Sequence, residues 1–405
     1  MRRVRILLGV AGILLLSLGT AACVFDSSTC KCAVSSTASK FAYVMLEFDT
    51  IAAFTIDAST GGLTAVSGSP FGGNINPVYG ASDPAGKFLY AVDQSAGSVD
   101  SFSIDQTTGA LTAVPGSPVR LNPSEARVPI VDPSGSFLYI THLDSCGDGC
   151  KGAVSAFKIG TDGSLTAIAG SPYTTDYGTL GIAMRPDGKF LYTMNGANGG
   201  GTVADISAFQ VDPTSGALTQ VSGSPFPGSA IPLFAAVHPS GNFLYAIVAG
   251  EGFAVEPFSI DPTTGALTST DNFFPLGQNP MGIDVDAVDN LLFVANNGSP
   301  SATNSVDGSI SVFQMNATTG ALTQVTGSPF TTTGSNPFQP AVDRSCKFLY
   351  VTNNAPARGS VANYVLAFAI DPLSGSVTAV PGSPFATPSG GPPEGIVLAP
   401  HQAVP

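Results

Sequence analysis

The chain of 405 residues has three histidines, and His142 alone stands clear of a turn or a terminus: His238 sits in a Pro-Ser-Gly turn and His401 close to the end. Imidazole changes charge near neutrality, so His142 is the candidate general acid or base. It falls three residues after the tyrosine of a recurring Phe-Leu-Tyr signal, and the same offset elsewhere gives Leu46, Asp93, Asn195, Val248, Asn296 and Asn353. A ring containing Asp, His and three Asn can hydrogen-bond a polyhydroxylated ligand or a carboxylate. Strand-ending Asn and Asp also satisfy turn amides with their own side chains, which is the structural reading of the same pattern. Glu125 and Arg127, close ahead of His142 in the chain, can join it as an acid–base and anion-holding group. No Ser-His-Asp spacing, nucleophile elbow, phosphate loop or zinc-protease motif is visible, and the carboxylates are too few for a calcium cage. Neither a cofactor nor a metal is expected.

Placing such residues in a ring requires an element that repeats. A strand-like signal recurs seven times: KFAYV at Lys40, KFLYAV at Lys87, SFLYIT at Ser136, KFLYTM at Lys189, NFLYAI at Asn242, NLLFVA at Asn290 and KFLYVT at Lys347. The spacing of 47 to 57 residues is close to that of propeller blades. Each repeat continues with a second β-rich segment such as VDSFSID, a third of the form TGALTAV, usually GSPF, and a fourth just ahead of the next signal. Four short strands between Gly, Pro, Asp and Thr punctuation describe one antiparallel sheet. Seven such sheets predict an all-β, seven-bladed propeller over residues 40–405. The chain enters at Lys40 without an inner strand and ends with the unpartnered PPEGIVLAP, so the last strand should complete the first blade and clasp the ring. Asp83-Pro84-Ala85-Gly86 and Asp261-Pro262-Thr263-Thr264-Gly265 are turn chemistry. Phe71, Phe226, Phe330 and Phe385 recur at one place and read as wedges between neighbouring sheets.

Connections after second strands and between blades are long and irregular, and strand alternation brings both classes to one face of the disk. That loop-rich face around the axis is the expected binding surface.

Ahead of the repeats, Arg2, Arg3 and Arg5 precede the apolar run from Ile6 to Gly19 and then Thr20-Ala21-Ala22-Cys23, the succession of a secretory signal. The run is too short to span a bilayer. Its end resembles the lipobox of bacterial lipoproteins, with Thr20 where Leu is usual, which implies cleavage after residue 22 and lipidation of Cys23. Residues 23–39 then form a Ser/Thr-rich tether. An exported, lipid-anchored envelope protein follows, touching the membrane through its anchor alone, with a monomer as the expected state. Export permits disulfides. Cys146 and Cys150 flank Gly147-Asp148-Gly149 and read as a local disulfide, while ring closure brings Cys346 near the segment ahead of Lys40 and predicts a disulfide from Cys346 to Cys32, or less directly to Cys30. The formal charge of −13, more negative once Arg2, Arg3 and Arg5 are removed, argues against nucleic acid.

The FLYV and TGxLTxVxGSPF repeats resemble the lactonase family of seven-bladed propellers, which includes 6-phosphogluconolactonase. The resemblance implies ester hydrolysis but meets substitutions at the family's working positions. Gly-Pro-Arg-His entering the fifth inner strand becomes Ile231-Pro232-Leu233-Phe234, Asn-Glu after the fifth signal becomes Val248 and Ala249, and Asp-Arg after the sixth becomes Asn296 and Asn297. The His entering the fourth inner strand falls near Leu180. Two readings follow. One is a hydrolase of an unphosphorylated sugar lactone working through His142 and the ring from Asp93 to Asn353. The other is a non-catalytic envelope protein that binds a glycan or a protein through the loop-rich face.

Overall fold

The computed structural model describes residues 38–47, 50–73, 75–122, 125–143, 151–196, 205–298, 308–332, 336–354, 363–388 and 391–400. Cys23, Cys30, Cys32, Cys146 and Cys150 lie outside the described residues, and so do the expected signal, the tether up to residue 37 and most of the longest loops.

Seven antiparallel sheets follow one another along the chain. Blade 2 shows the pattern, with an inner strand Pro77–Ser82, a second strand Phe88–Asp93, a third Ser98–Ile104 and a three-residue fourth Leu111–Ala113. Blade 1 takes its inner strand from the far end of the chain: Pro393–Ala399 pairs antiparallel with Phe41–Leu46, setting Val397 opposite Tyr43. The clasp read from the sequence is thus formed. The sheets carry one strand more than the four expected, except in blade 1. The short fourth strand covers one end of the third strand only, and the GSPF segment returns to pair with the other end, as Val119–Arg120 does with Ser98 and Val99. In blade 1 the same return is a single bridge from Phe71 to Ile51.

Seven apolar clusters lie between successive blades, and the one joining blade 7 to blade 1, with Val365, Tyr350, Val44 and Phe54, closes the ring. Phe71, Phe226, Phe330 and Phe385 each pack against one of them, as wedges should. The Phe-Leu-Tyr signal and the turn glycine belong to one contact. Tyr43, Tyr139 and Tyr192 donate their hydroxyls to the carbonyls of Gly109, Gly216 and Gly265 in the next blade, at 2.9, 2.9 and 3.1 Å. Each phenylalanine ring lies under the same glycine, so a Cβ on Gly265 would stand 2.3 Å from Phe190. With φ at 75°, Gly265 also occupies a region that side chains resist. In blade 6 the signal reads Leu-Leu-Phe, and Leu291 takes the place under Gly375.

The Ser of GSPF has a comparable duty. Ser117, Ser171 and Ser224 each accept the N–H of the third-strand residues Ser101, Ala156 and Ala208. Blade 5 has Pro257 at that position, which offers no N–H, and its loop reads Ser269-Thr270-Asp271-Asn272 instead of Gly-Ser-Pro. Thr270 instead donates to the Pro257 carbonyl.

Candidate functional site at the channel mouth

Inner strands begin beside the ends of second strands, with Pro77 opposite Asp93, Thr179 opposite Asn195 and Pro337 opposite Asn353. The variable connections therefore share the face where inner strands start, as the sequence implied. Every inner strand slips register near that start, for example between Ile140 and His142 along the pairing in blade 3. Such bulges re-aim the first side chains of a strand.

Those re-aimed side chains close the channel. Tyr79 of blade 2 meets Phe338 of blade 7 and Phe234 of blade 5, with ring centroids 6.1 and 6.4 Å apart, and Val78, Val128 and Met281 pack around them. These residues hold second to fourth places in their strands, so the plug lies toward the loop-rich face. Beyond it, a cavity of 270 Å³ is lined mainly by apolar groups such as Ile130, Ile182, Ala235, Ile283 and Leu398. Asp284 is the charged residue of its wall, and burial raises its pKa to about 6. Its carboxylate accepts the N–H of Val285 and of Val342, each at 2.8 Å, which ties blade 6 to blade 7.

The titratable groups suited to chemistry lie on the other side of the plug. Glu47 follows the second strand of blade 1, and Glu394 is second in its inner strand, with the Glu47 N–H bonded to the Pro392 carbonyl. The two carboxyls lie close enough to shift each other, Glu47 raising Glu394 and Glu394 lowering Glu47. Burial first, then the charge of Glu47, raises the pKa of Glu394 to about 7, while the charge of Arg127 opposes the rise. Glu47 is also raised, by burial. Arg127, from blade 3, stands 3.7 Å from Glu125, with Arg127 24% and Glu125 57% exposed. Its Nε is buried without a hydrogen-bond partner among the described residues. Tyr79 lies within the fields of both Glu394 and Arg127, and burial keeps its hydroxyl protonated far above neutrality. Glu47, Glu394 and the Arg127 guanidinium therefore lie within one another's electrostatic reach around Tyr79.

Arg127 and Glu125 were legible in the sequence; Glu47 and Glu394 were missed. They sit at opposite ends of the chain, and only the clasp brings them together. An acidic residue at the third place of PPEGIVLAP was the available signal.

The ring read around His142 occupies equivalent places but faces into the sheets, which corrects the expectation that it opens on the mouth. His142 is 0% exposed, and its Nε2 meets Ser155 Oγ at 2.8 Å on the adjacent strand. Asn195 donates to Asp205 and Ser207, and Asn296 to Ser309 and Ser311. Asn353 is buried against Tyr364. Asp93 accepts from Ser95 and the Ala96 amide, and its charge, after burial, helps raise Asp100 to about 6. The physical reason is the surroundings of each strand end: Ser155, Asp205 with Ser207, and Ser309 with Ser311 on the third strands satisfy His142, Asn195 and Asn296 within the sheet, and the following loop satisfies Asp93. Cys346 is buried too, its thiol bonded to Asp286 and made less acidic by burial and by that carboxylate.

Fold and mouth together describe a seven-bladed propeller with two glutamates and an arginine gathered from blades 1 and 3 at the loop-rich end of its inner strands. The chain belongs to the family described as lactonase, seven-bladed beta-propeller, whose model matches residues 29–128 and 196–339, more than half of its length. Among solved structures, it resembles a Bacteroides uniformis protein provisionally assigned as a 6-phosphogluconolactonase, at 18% identity and a TM-score of 0.69, covering 88% of this chain and 98% of that one. The periplasmic gluconolactonase of Pseudomonas aeruginosa is similar at 17% identity and a TM-score of 0.67, covering 88% of this chain and 98% of that one. At such identities the likeness is one of fold. No curated protein matches the chain.

Proposed function

We propose that the protein hydrolyses a small cyclic ester at the channel mouth. The observation that carries this is the Glu47–Glu394 pair beside Arg127: a base, an acid and an oxyanion donor in one place on a lactonase-family propeller. In this reading Glu47 takes a proton from water as its oxygen bonds to the lactone carbonyl carbon. Arg127 holds the negative charge that develops on the carbonyl oxygen. The ring C–O bond then breaks, and the proton of Glu394 passes to the leaving oxygen. The proton gained by Glu47 returns to Glu394 through their shared hydrogen bond, and a hydroxy acid leaves.

The name of the similar Pseudomonas aeruginosa gluconolactonase makes unphosphorylated sugar lactones the first to assay, beginning with D-glucono-δ-lactone. Turnover above the spontaneous rate is expected, with kcat lowered about 100-fold or more in Glu394→Gln. His142→Ala should keep kcat/KM while losing about 1–3 kcal/mol of stability, since it removes one partner of a buried hydrogen bond. Equal rates in wild type and Glu394→Gln would reject the site. No turnover of any lactone would favour the non-catalytic alternative, binding of a glycan or a protein at the loop-rich face. The succession from Arg2 to Cys23 supports an exported, lipid-anchored setting for either activity.

A further inference from the structure

The mouth is two-sided. Glu394, Tyr79 and Arg127 come from blades 1, 2 and 3, and the floor runs from Tyr79 across the axis to Phe234 of blade 5, with Met281 of blade 6 beside it. In a ring of seven, blades 4 and 5 face blade 1. There the rim carries an exposed apolar side chain, Ile231, first in the inner strand of blade 5 and 39% exposed. A single exposed hydrophobic residue is ordinary, but Ile231 stands three places ahead of Phe234 in the same strand, and Phe234 belongs to the floor. A polyol laid on that floor would bury hydroxyls against phenylalanine and methionine, where few groups can pair with them. An alkyl group there would lose water from both surfaces instead.

We propose that the substrate is an amphiphilic lactone, its ring at the Glu47–Glu394 pair and an apolar substituent lying over Phe234 and Met281 toward Ile231. This rests on the hydrolase reading above and names the class of ester it acts on.

The test separates binding from turnover. Lactams, which keep the ring shape but resist hydrolysis, are titrated calorimetrically into the mature protein with ethyl to octyl substituents, beside hydroxylated gluconolactam. The matching lactones are assayed for hydrolysis. Kd is expected to fall about fourfold per added methylene until the floor is covered, and Ile231→Ser, at an exposed site, should flatten that dependence. A Kd indifferent to chain length, a dependence unchanged in Ile231→Ser, or tighter binding of gluconolactam than of every alkyl lactam would each overturn the proposal. Chain-length gain without turnover of any lactone would uphold the apolar ligand and defeat the hydrolase reading. Turnover of the sugar lactone without chain-length gain would do the reverse.

Discussion

The raised pKa of Glu394 links folding to pH. In the folded chain the pKa of Glu394 is raised from 4.5 to about 7. A carboxyl raised in this way stabilises the fold in its protonated form. That contribution is complete below the unfolded value of 4.5 and is lost as pH rises through about 7. Melting temperature should therefore decline across this window. Glu394→Gln cannot ionise, so it should match wild type near pH 5 yet melt higher near pH 8, about one unit above the folded pKa. Thermal melts of both proteins across that range check the sign; parallel curves would show that the pair is not strained by ionisation. At this scale the sequence was half legible. It singled out Arg127 and Glu125 because a cation at the start of an inner strand is chemically conspicuous. It misjudged His142 and the Asn positions because periodicity tells which places are equivalent, while a side chain's partner on the next strand decides where it turns.

Between blades, one contact recurs, and its parts were visible long before their purpose. Phe-Leu-Tyr and Thr-Gly-Ala-Leu look like independent motifs in the chain, yet the tyrosine hydroxyl and the phenylalanine ring of one blade meet the glycine of the next. Tyr192→Phe should cost about 1 kcal/mol for the lost hydrogen bond. Gly265→Ala should cost more, of order 1–3 kcal/mol for the left-handed backbone alone, with the clash against Phe190 added. Urea unfolding of the two variants ranks them, and the reverse order would deny the glycine its packing role. The strand of two residues formed by the GSPF segment was beyond sequence reading, since alternation has no meaning over so short a span. The Pro257 exception in blade 5 shows the same coupling from the other side: where the third strand loses its donor, the loop also lacks the serine that accepts it elsewhere.

For the molecule as a whole, seven repeats and an unpaired final strand were enough to read the ring and its clasp, because both follow from counting strands. The mouth was not, because it is assembled from the two ends of the chain together with the second and third blades. If Cys23 anchors the propeller to a membrane, Cys23→Ser should move the protein from the membrane fraction to the soluble one in a bacterial host, and an unchanged distribution would discard the anchor. The most direct trial of the account is the pH dependence of kcat/KM on a hydrolysed lactone, corrected for spontaneous hydrolysis. The expected curve is a bell: it falls on the acid side as Glu47 gains a proton and loses its role as base, and on the alkaline side near pH 7 as Glu394 gives up the proton meant for the leaving oxygen. A rate that climbs steadily through neutrality in wild type, or an alkaline limb that survives unaltered in Glu394→Gln, would contradict it.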